Sequence, residues 1–398
     1  MLTALSVNVL GIPLSVNTIA YIEQDKVIAA CATSALWSAF QKAAHSNGYH
    51  IPTLYEITDN ATVYSTRRRP IPSGGLNAEQ MCRAIRAVGL EPEFWEILDA
   101  DNNVVGLPLA STYAYLRAGM PVIALVTIGG SGHAIALNGY RLGERGQPYN
   151  ELRLANLKLE SAPIDIKLTG SRIEALYSHD DQIGPFCRAN IGLLKIVKTN
   201  EGGYNFIPVD PEGIEQVSGA GAKGSNNEEE AMIVPYMHGP WDERTDTGSE
   251  DGIVPIIPFA LIAPLYHKIR VPFLTILYHA GRMDRFLRRY NPGVQMEWDI
   301  HITSVNDCKK DIAQRDGIPL DIRKKLLGSL HPRFIWLARA IVHDELVCEM
   351  LADATDMELS FQVYSISLFN PYLRKNIEKN YRTMSRATNL TAPLSYRS

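Results

Sequence analysis

The sequence predicts an α+β protein in two parts, and three observations carry that expectation. In the N-terminal half, helical apolar patterns come first and alternating strand patterns follow, the order expected when helices pack on an antiparallel sheet. One compositional break, rich in Gly, Ser, Asn and acidic residues, lies at 211–252. It reads as a flexible acidic linker or loop between a domain at 1–210 and a mixed α/β domain at 253–398. The chain of 398 residues is 46% hydrophobic and 21% charged, which supplies enough apolar material for one or two cores.

The elements can be justified in order. Residues 1–22 carry no charge, yet Asn8, Pro13 and Asn17 interrupt them and no Lys or Arg precedes them. A secretory leader would need that basic start, so the stretch reads as a buried strand or core segment. Residues 30–44 place Ala32, Ala35, Leu36, Ala39, Phe40 and Ala43 at helical spacing. Residues 77–88 form a second helix, with Met81, Ile85 and Val88 on one face and Gly89 as its stop. A short third helix at 111–118 ends at Gly119. Strands are expected at 121–128 and 133–140, joined by Gly129-Gly130-Ser131-Gly132, and again at 151–155, 173–177 and 192–198.

Beyond the break, helices are expected at 273–289 and 318–330, strands at 294–302, 334–342 and 361–367, and a basic helical tail at 371–386. Residues 252–267 are uncharged, but Pro255, Pro258 and Pro264 interrupt them and they fall short of the roughly 18 apolar residues a spanning helix needs. They too read as a buried strand or core segment. Trp336, among alternating apolar residues, reads as core, and Asp353 and Asp356 as caps or turn residues.

Lys plus Arg number 39 against 43 Asp plus Glu, a net charge of -4, which argues against a dedicated nucleic-acid binder. Arg67-Arg68-Arg69 reads as a solvated loop. With neither leader nor span, the chain is expected in the cytoplasm and off the membrane. Cys31, Cys82, Cys187, Cys308 and Cys348 are widely spaced with no C-x-x-C, which is neither a disulfide framework nor a zinc pattern. Gly219 to Gly224 spells G-x-G-x-x-G without the preceding strand that dinucleotide binding requires. No metal and no cofactor are expected.

One thiol stands out. Cys31 opens the first amphipathic helix, where unpaired N–H groups and the helix dipole favour a thiolate. The same N–H groups could hold an oxyanion, and Gln24, seven positions upstream, offers a side-chain amide as a second donor. The plainer reading of Cys31 is a small buried residue in an Ala-rich helix. His133 opens a strand directly after a Gly-rich turn, an accessible place for a general base. Together the two supply a thiol and the base that would activate it.

This order resembles the papain-like cysteine peptidases, in particular the branch of bacteriocin-leader-processing (double-glycine) peptidases. The matching pieces are Gln24 with Cys31-Ala32-Thr33-Ser34-Ala35-Leu36, then Gly75-Leu76 and Ala87-Val88-Gly89-Leu90. Next come Ala118-Gly119-Met120-Pro121-Val122-Ile123 and Gly132-His133-Ala134-Ile135-Ala136-Leu137-Asn138-Gly139-Tyr140. The likeness covers about residues 8–200. It implies helices packed on an antiparallel sheet, and an acid or amide on the next strand that orients the imidazole. Asp180 fits that place best, at the end of Leu176-Tyr177-Ser178-His179-Asp180-Asp181, with Asp181 beside it and Asn156 as the fallback. Asp180 follows His133 by 47 positions, which requires an inserted hairpin within 142–171. Gln24 lies seven rather than six residues before the cysteine, and Ala32 stands where many relatives carry Gly.

The resemblance implies a thiol hydrolase that cleaves a peptide or isopeptide bond of a peptide or protein substrate through Cys31, His133 and Asp180, with Gln24 aiding the oxyanion. Two alternatives stand beside it: an acyltransferase using the same residues, and a catalytically inactive scaffold or interaction protein. The C-terminal domain has no assigned role, and a homo-oligomer or a protein partner bound through it stays open.

Overall fold

The computed structural model describes residues 3–23, 30–63, 75–97, 106–128, 131–145, 154–159, 162–164, 166–198, 204–209, 232–239, 256–290, 293–356 and 363–379. In chain order it begins with strands β1 (Thr3–Val9) and β2 (Ile12–Thr18), helices α1 (Cys31–Asn47), α2 (Leu54–Thr62) and α3 (Ala78–Ala87), strand β3 (Leu90–Glu96) and helix α4 (Gly106–Arg117). Strands β4 (Val122–Ile128), β5 (Ser131–Leu142), β6 (Leu154–Leu159), β7 (Ala162–Ile164) and β8 (Lys167–Leu168) follow. After them come β9 (Ile173–Asp180), β10 (Gly184–Lys198), β11 (Tyr204–Val209), β12 (Met232–His238) and β13 (Ile257–Tyr266). The last elements are α5 (Phe273–Tyr290), β14 (Glu297–Ser304), α6 (Val305–Gln314), α7 (Leu320–Gly328), β15 (Phe334–Val342), β16 (Glu345–Asp353), β17 (Val363–Leu368) and α8 (Pro371–Lys379).

The protein is mixed α/β, with helices and mostly antiparallel sheets, and it divides into two compact units. The first gathers Met1–Pro108, Gly119–Tyr149 and Ile173–His267; the second gathers Leu109–Ala118, Asn150–Arg172 and Lys268–Ser398. Each unit therefore draws on both sides of the compositional break. Of the stretch 211–252, only 232–239 is described, and there β12 pairs antiparallel with β10.

The sheet of the first unit runs β11-β10-β9-β5-β4-β13-β3, with β12 also on β10. Strand β13 is hydrogen-bonded to β4 on one side and β3 on the other, and residues 256–258 and 260–265 are buried or half-buried, as the uncharged run at 252–267 suggested. Two prolines of these strands sit where a sheet tolerates them. Pro258 flanks a register shift, and Pro92 lies on the edge strand β3.

Helix α1 packs on this sheet through Ala32, Ala35, Leu36, Ala39 and Phe40, against Ile123, Leu125, Ala134, Ala136, Ala260 and Ile262. Alanine on both sides lets the helix axis approach the strands closely. The buried Phe40 adds roughly 2–3 kcal/mol of transfer free energy. Gly48 ends α1 in the left-handed conformation, φ 71°, and its N–H closes on the Ala44 carbonyl. Helices α2 and α3 each start with a reciprocal capping box, Thr53 with Glu56 and Asn77 with Gln80.

Strands β1 and β2 form a separate hairpin. Leu5, Val7 and Val9 stand opposite Val16, Leu14 and Ile12, which collects the aliphatic side chains on one face. The expectation that residues 1–22 are buried is corrected here. Val7, Val9, Leu10, Ile12, Leu14 and Val16 are all exposed, because the alternation gives one apolar face but no element of the described structure covers it.

The second unit holds a sheet ordered β17-β16-β15-β14-β8, parallel between β14 and β8 and antiparallel elsewhere. Trp298 and Trp336 are fully buried, and their indole N–H groups donate to Asp284 Oδ1 and the Val271 carbonyl, both at 2.8 Å. Asp353 forms a turn, accepting from the Thr355 N–H and hydroxyl at 2.7 Å. Strands β6 and β7 form the hairpin expected within 142–171. The basic tail is described only as far as Lys379. No helix of the described residues is long and apolar enough to cross a membrane.

Candidate active site

Cys31 is the first residue of α1, whose opening turn has no side-chain cap and no acidic residue. Ser34 N–H makes the first intrahelical bond, to the Ala30 carbonyl at 2.8 Å. The N–H groups ahead of it point out of the helix start, where the dipole favours negative charge. Small side chains along α1 seat it on β5, and this lays the helix start beside the start of that strand.

His133, near the beginning of β5, meets that helix start. Strand β9 pairs antiparallel with β5, Ala136 facing His179, so Asp180 at the end of β9 comes alongside His133. His133 Nε2 lies 3.0 Å from Asp180 Oδ2. The other oxygen of Asp180 is fixed by the turn that follows: Oδ1 accepts the Gln182 N–H at 2.9 Å and the Ile183 N–H at 3.1 Å. With Nε2 turned to Asp180, Nδ1 is left for the Cys31 thiol, which is hydrogen-bonded to the ring.

Burial pulls the His133 pKa down, but the hydrogen bonds and charges of Asp180 and Cys31 outweigh it and raise the pKa to about 10. A proton on this imidazole is therefore held throughout the neutral range. The line of thiol, imidazole and carboxylate can take a proton from sulfur, keep it and return it.

The other four cysteines offer no such setting. Burial pushes the Cys82 and Cys308 thiols up, Cys308 to about 12, and does the same to Cys348. Cys187 is buried and donates to the Gly184 carbonyl at 3.1 Å.

Of the residues singled out in the sequence, Cys31, His133 and Asp180 come together, with Asp181 beside them. Gln24 lies outside the described residues. Asn156 falls on β6, which belongs to the second unit, whereas His133 and Asp180 belong to the first.

Three neighbours carried no signal in the sequence. The Tyr21 hydroxyl donates to the Asp180 carbonyl at 3.2 Å, and its pKa is raised to about 12 by burial and by Glu23, Asp181 and Asp180. His179 is buried between Tyr21 and Phe186, both edge-on, with ring centroids at 5.6 and 4.7 Å. Burial lowers its pKa to about 4, so His179 stays neutral and serves as a wall. The contacts of Tyr21 join segments distant in the chain, and no local pattern announces them.

Donor atoms of His133, Asp180 and Asp181 approach within 4.8 Å of one another. Within that group His133 Nε2 and Asp180 Oδ2 are hydrogen-bonded to each other. No family model, curated protein or solved structure matches the chain.

Proposed function

We propose that this chain is a papain-like thiol hydrolase acting on a peptide or isopeptide bond. The observation that carries the reading is the hydrogen-bonded line from Cys31 through His133 to Asp180. His133 holds the proton that the Cys31 thiol has given up, and the thiolate attacks the substrate carbonyl carbon. The Cys31 backbone N–H at the helix start stabilises the resulting oxyanion, an interaction of the kind whose loss slows catalysis about 10²–10³-fold. As the tetrahedral species collapses, the amine leaves with the proton from His133 and a thioester remains on Cys31. Water then attacks the thioester while His133 takes its proton, and the acid and free thiol are released. Asp180 keeps the ring oriented throughout, its own position fixed by the two N–H groups of the turn. An amine in place of water would give acyl transfer from the same intermediate.

The test needs no known substrate. Iodoacetamide alkylation followed by peptide mapping compares Cys31 with Cys187 in the same sample. Cys31 is expected to react far faster near neutral pH, and His133→Ala to slow it about a hundredfold, the usual scale for a positioned base. Equal rates for the two cysteines, unchanged in His133→Ala, would leave the chain as a scaffold.

A further inference from the structure

We infer that Asp181 is a positioning residue for His133, setting a second negative charge against Nε2 while Asp180 makes the hydrogen bond. The inference builds on the thiol–imidazole reading above. Asp180 ends β9 and Asp181 begins the turn that follows, yet the surroundings of these adjacent carboxylates differ. Asp180 is tied through both oxygens, to the ring and to the turn. Asp181 is buried, its Oδ1 lies 3.7 Å from Nε2, and neither of its oxygens has a hydrogen-bond partner among the described residues.

At 3.7 Å the contact is too long for a hydrogen bond and short enough for strong attraction between opposite charges. A buried carboxylate without hydrogen bonds is costly, and among the described residues the imidazolium is the positive group that faces it. Among the described residues, the remaining titratable neighbours are Asp180 at the end of β9, His179 held neutral by burial, Tyr21 and Glu23 from the segment after β2, Cys31 at the start of α1, and Cys187 on β10. None of these supplies positive charge. Burial raises the Asp181 pKa to about 6, with His133 lowering it and Asp180 raising it. Below that pH the ring faces one carboxylate charge, and above it two.

The experiment is a pH titration of the His133 ring by ¹H–¹⁵N NMR on the full chain. In the wild type, His133 is expected to show an inflection near pH 6 from Asp181, in addition to its own midpoint near 10. Asp181→Asn should remove the inflection and lower the midpoint by about one unit, a tenfold loss of proton affinity. The low-field N–H proton shared with Asp180 should persist in that variant. Asp181→Glu should restore the inflection. A wild-type curve with no inflection near 6, or an unchanged midpoint in Asp181→Asn, would overturn the assignment. So would loss of the low-field proton in Asp181→Asn but not in Asp180→Asn. These readouts do not involve sulfur chemistry, so their failure and a failed alkylation test remain distinguishable.

Discussion

Asp181 gives the site a cost as well as a charge. Its pKa rises from 3.8 to about 6 on folding, so the folded state holds the proton more tightly than the unfolded chain. For an acid shifted upward, the associated stability is complete below pH 3.8 and is lost as pH rises through 6. His133 is also shifted upward, from 6.5 to about 10, and its contribution persists below 6.5 and disappears as pH rises through 10. Asp181→Asn should therefore melt together with the wild type at pH 3 and above it at pH 8, by up to about 3 kcal/mol for a shift of this size. Thermal melts at the two pH values check this; equal melting at pH 8 would show that ionised Asp181 costs nothing. Cys31 and His133 were legible in the sequence because each sits at an element boundary that local chemistry marks, a helix start and a strand after a glycine turn. Asp180 was placed by family likeness and not by its own surroundings. Tyr21 and the second contact of Asp181 depend on long-range pairing, which no local pattern encodes.

Helix α1 is the element on which the site depends. Its alanines meet alanines on β5 and β13, so there is no room to spare at Ala39. Ala39→Leu should overpack this contact and cost about 1–3 kcal/mol. Leu10→Ser, at the exposed tip of the β1–β2 hairpin, should stay within about 0.5 kcal/mol. Urea unfolding of both variants measures the contrast, and similar losses would mean that the alanine interface is not close-packed. The helical period made α1, α3 and α5 readable to within a few residues. Helix α2 was missed although Thr53 and Glu56 spell a capping box, because only nine residues follow the cap. Pro92 breaks the pattern of β3, and the absence of charge over residues 1–22 did not reveal whether anything covers them.

At the scale of the whole molecule, composition marked a break in the chain, whereas the compact units are interleaved across it. Leu109–Ala118 and Asn150–Arg172 belong with the C-terminal segment, and the strand β13 belongs with the first sheet. Composition reports where a segment is polar; it does not report which strands pair across it. A fragment of residues 1–210 would lack the strand bonded to both β3 and β4, together with Ala260 and Ile262 from the core beneath α1. It is expected to show no cooperative thermal transition by circular dichroism, whereas the full chain shows one or more. A cooperative melt of the fragment would mean that β3 and β4 can manage without β13.

That pairing also sets a clock. Strand β4 ends at Ile128 and β13 begins at Ile257, so roughly 130 residues must be made between one strand and the neighbour that completes it. At the usual 5–20 residues per second, synthesis imposes a wait on the order of ten seconds. Throughout that interval the helix bearing Cys31 has only part of its sheet to rest on. The thiol, the imidazole and the carboxylate are all translated long before the strand that fixes their common platform, so maturation of the site is timed by the arrival of β13.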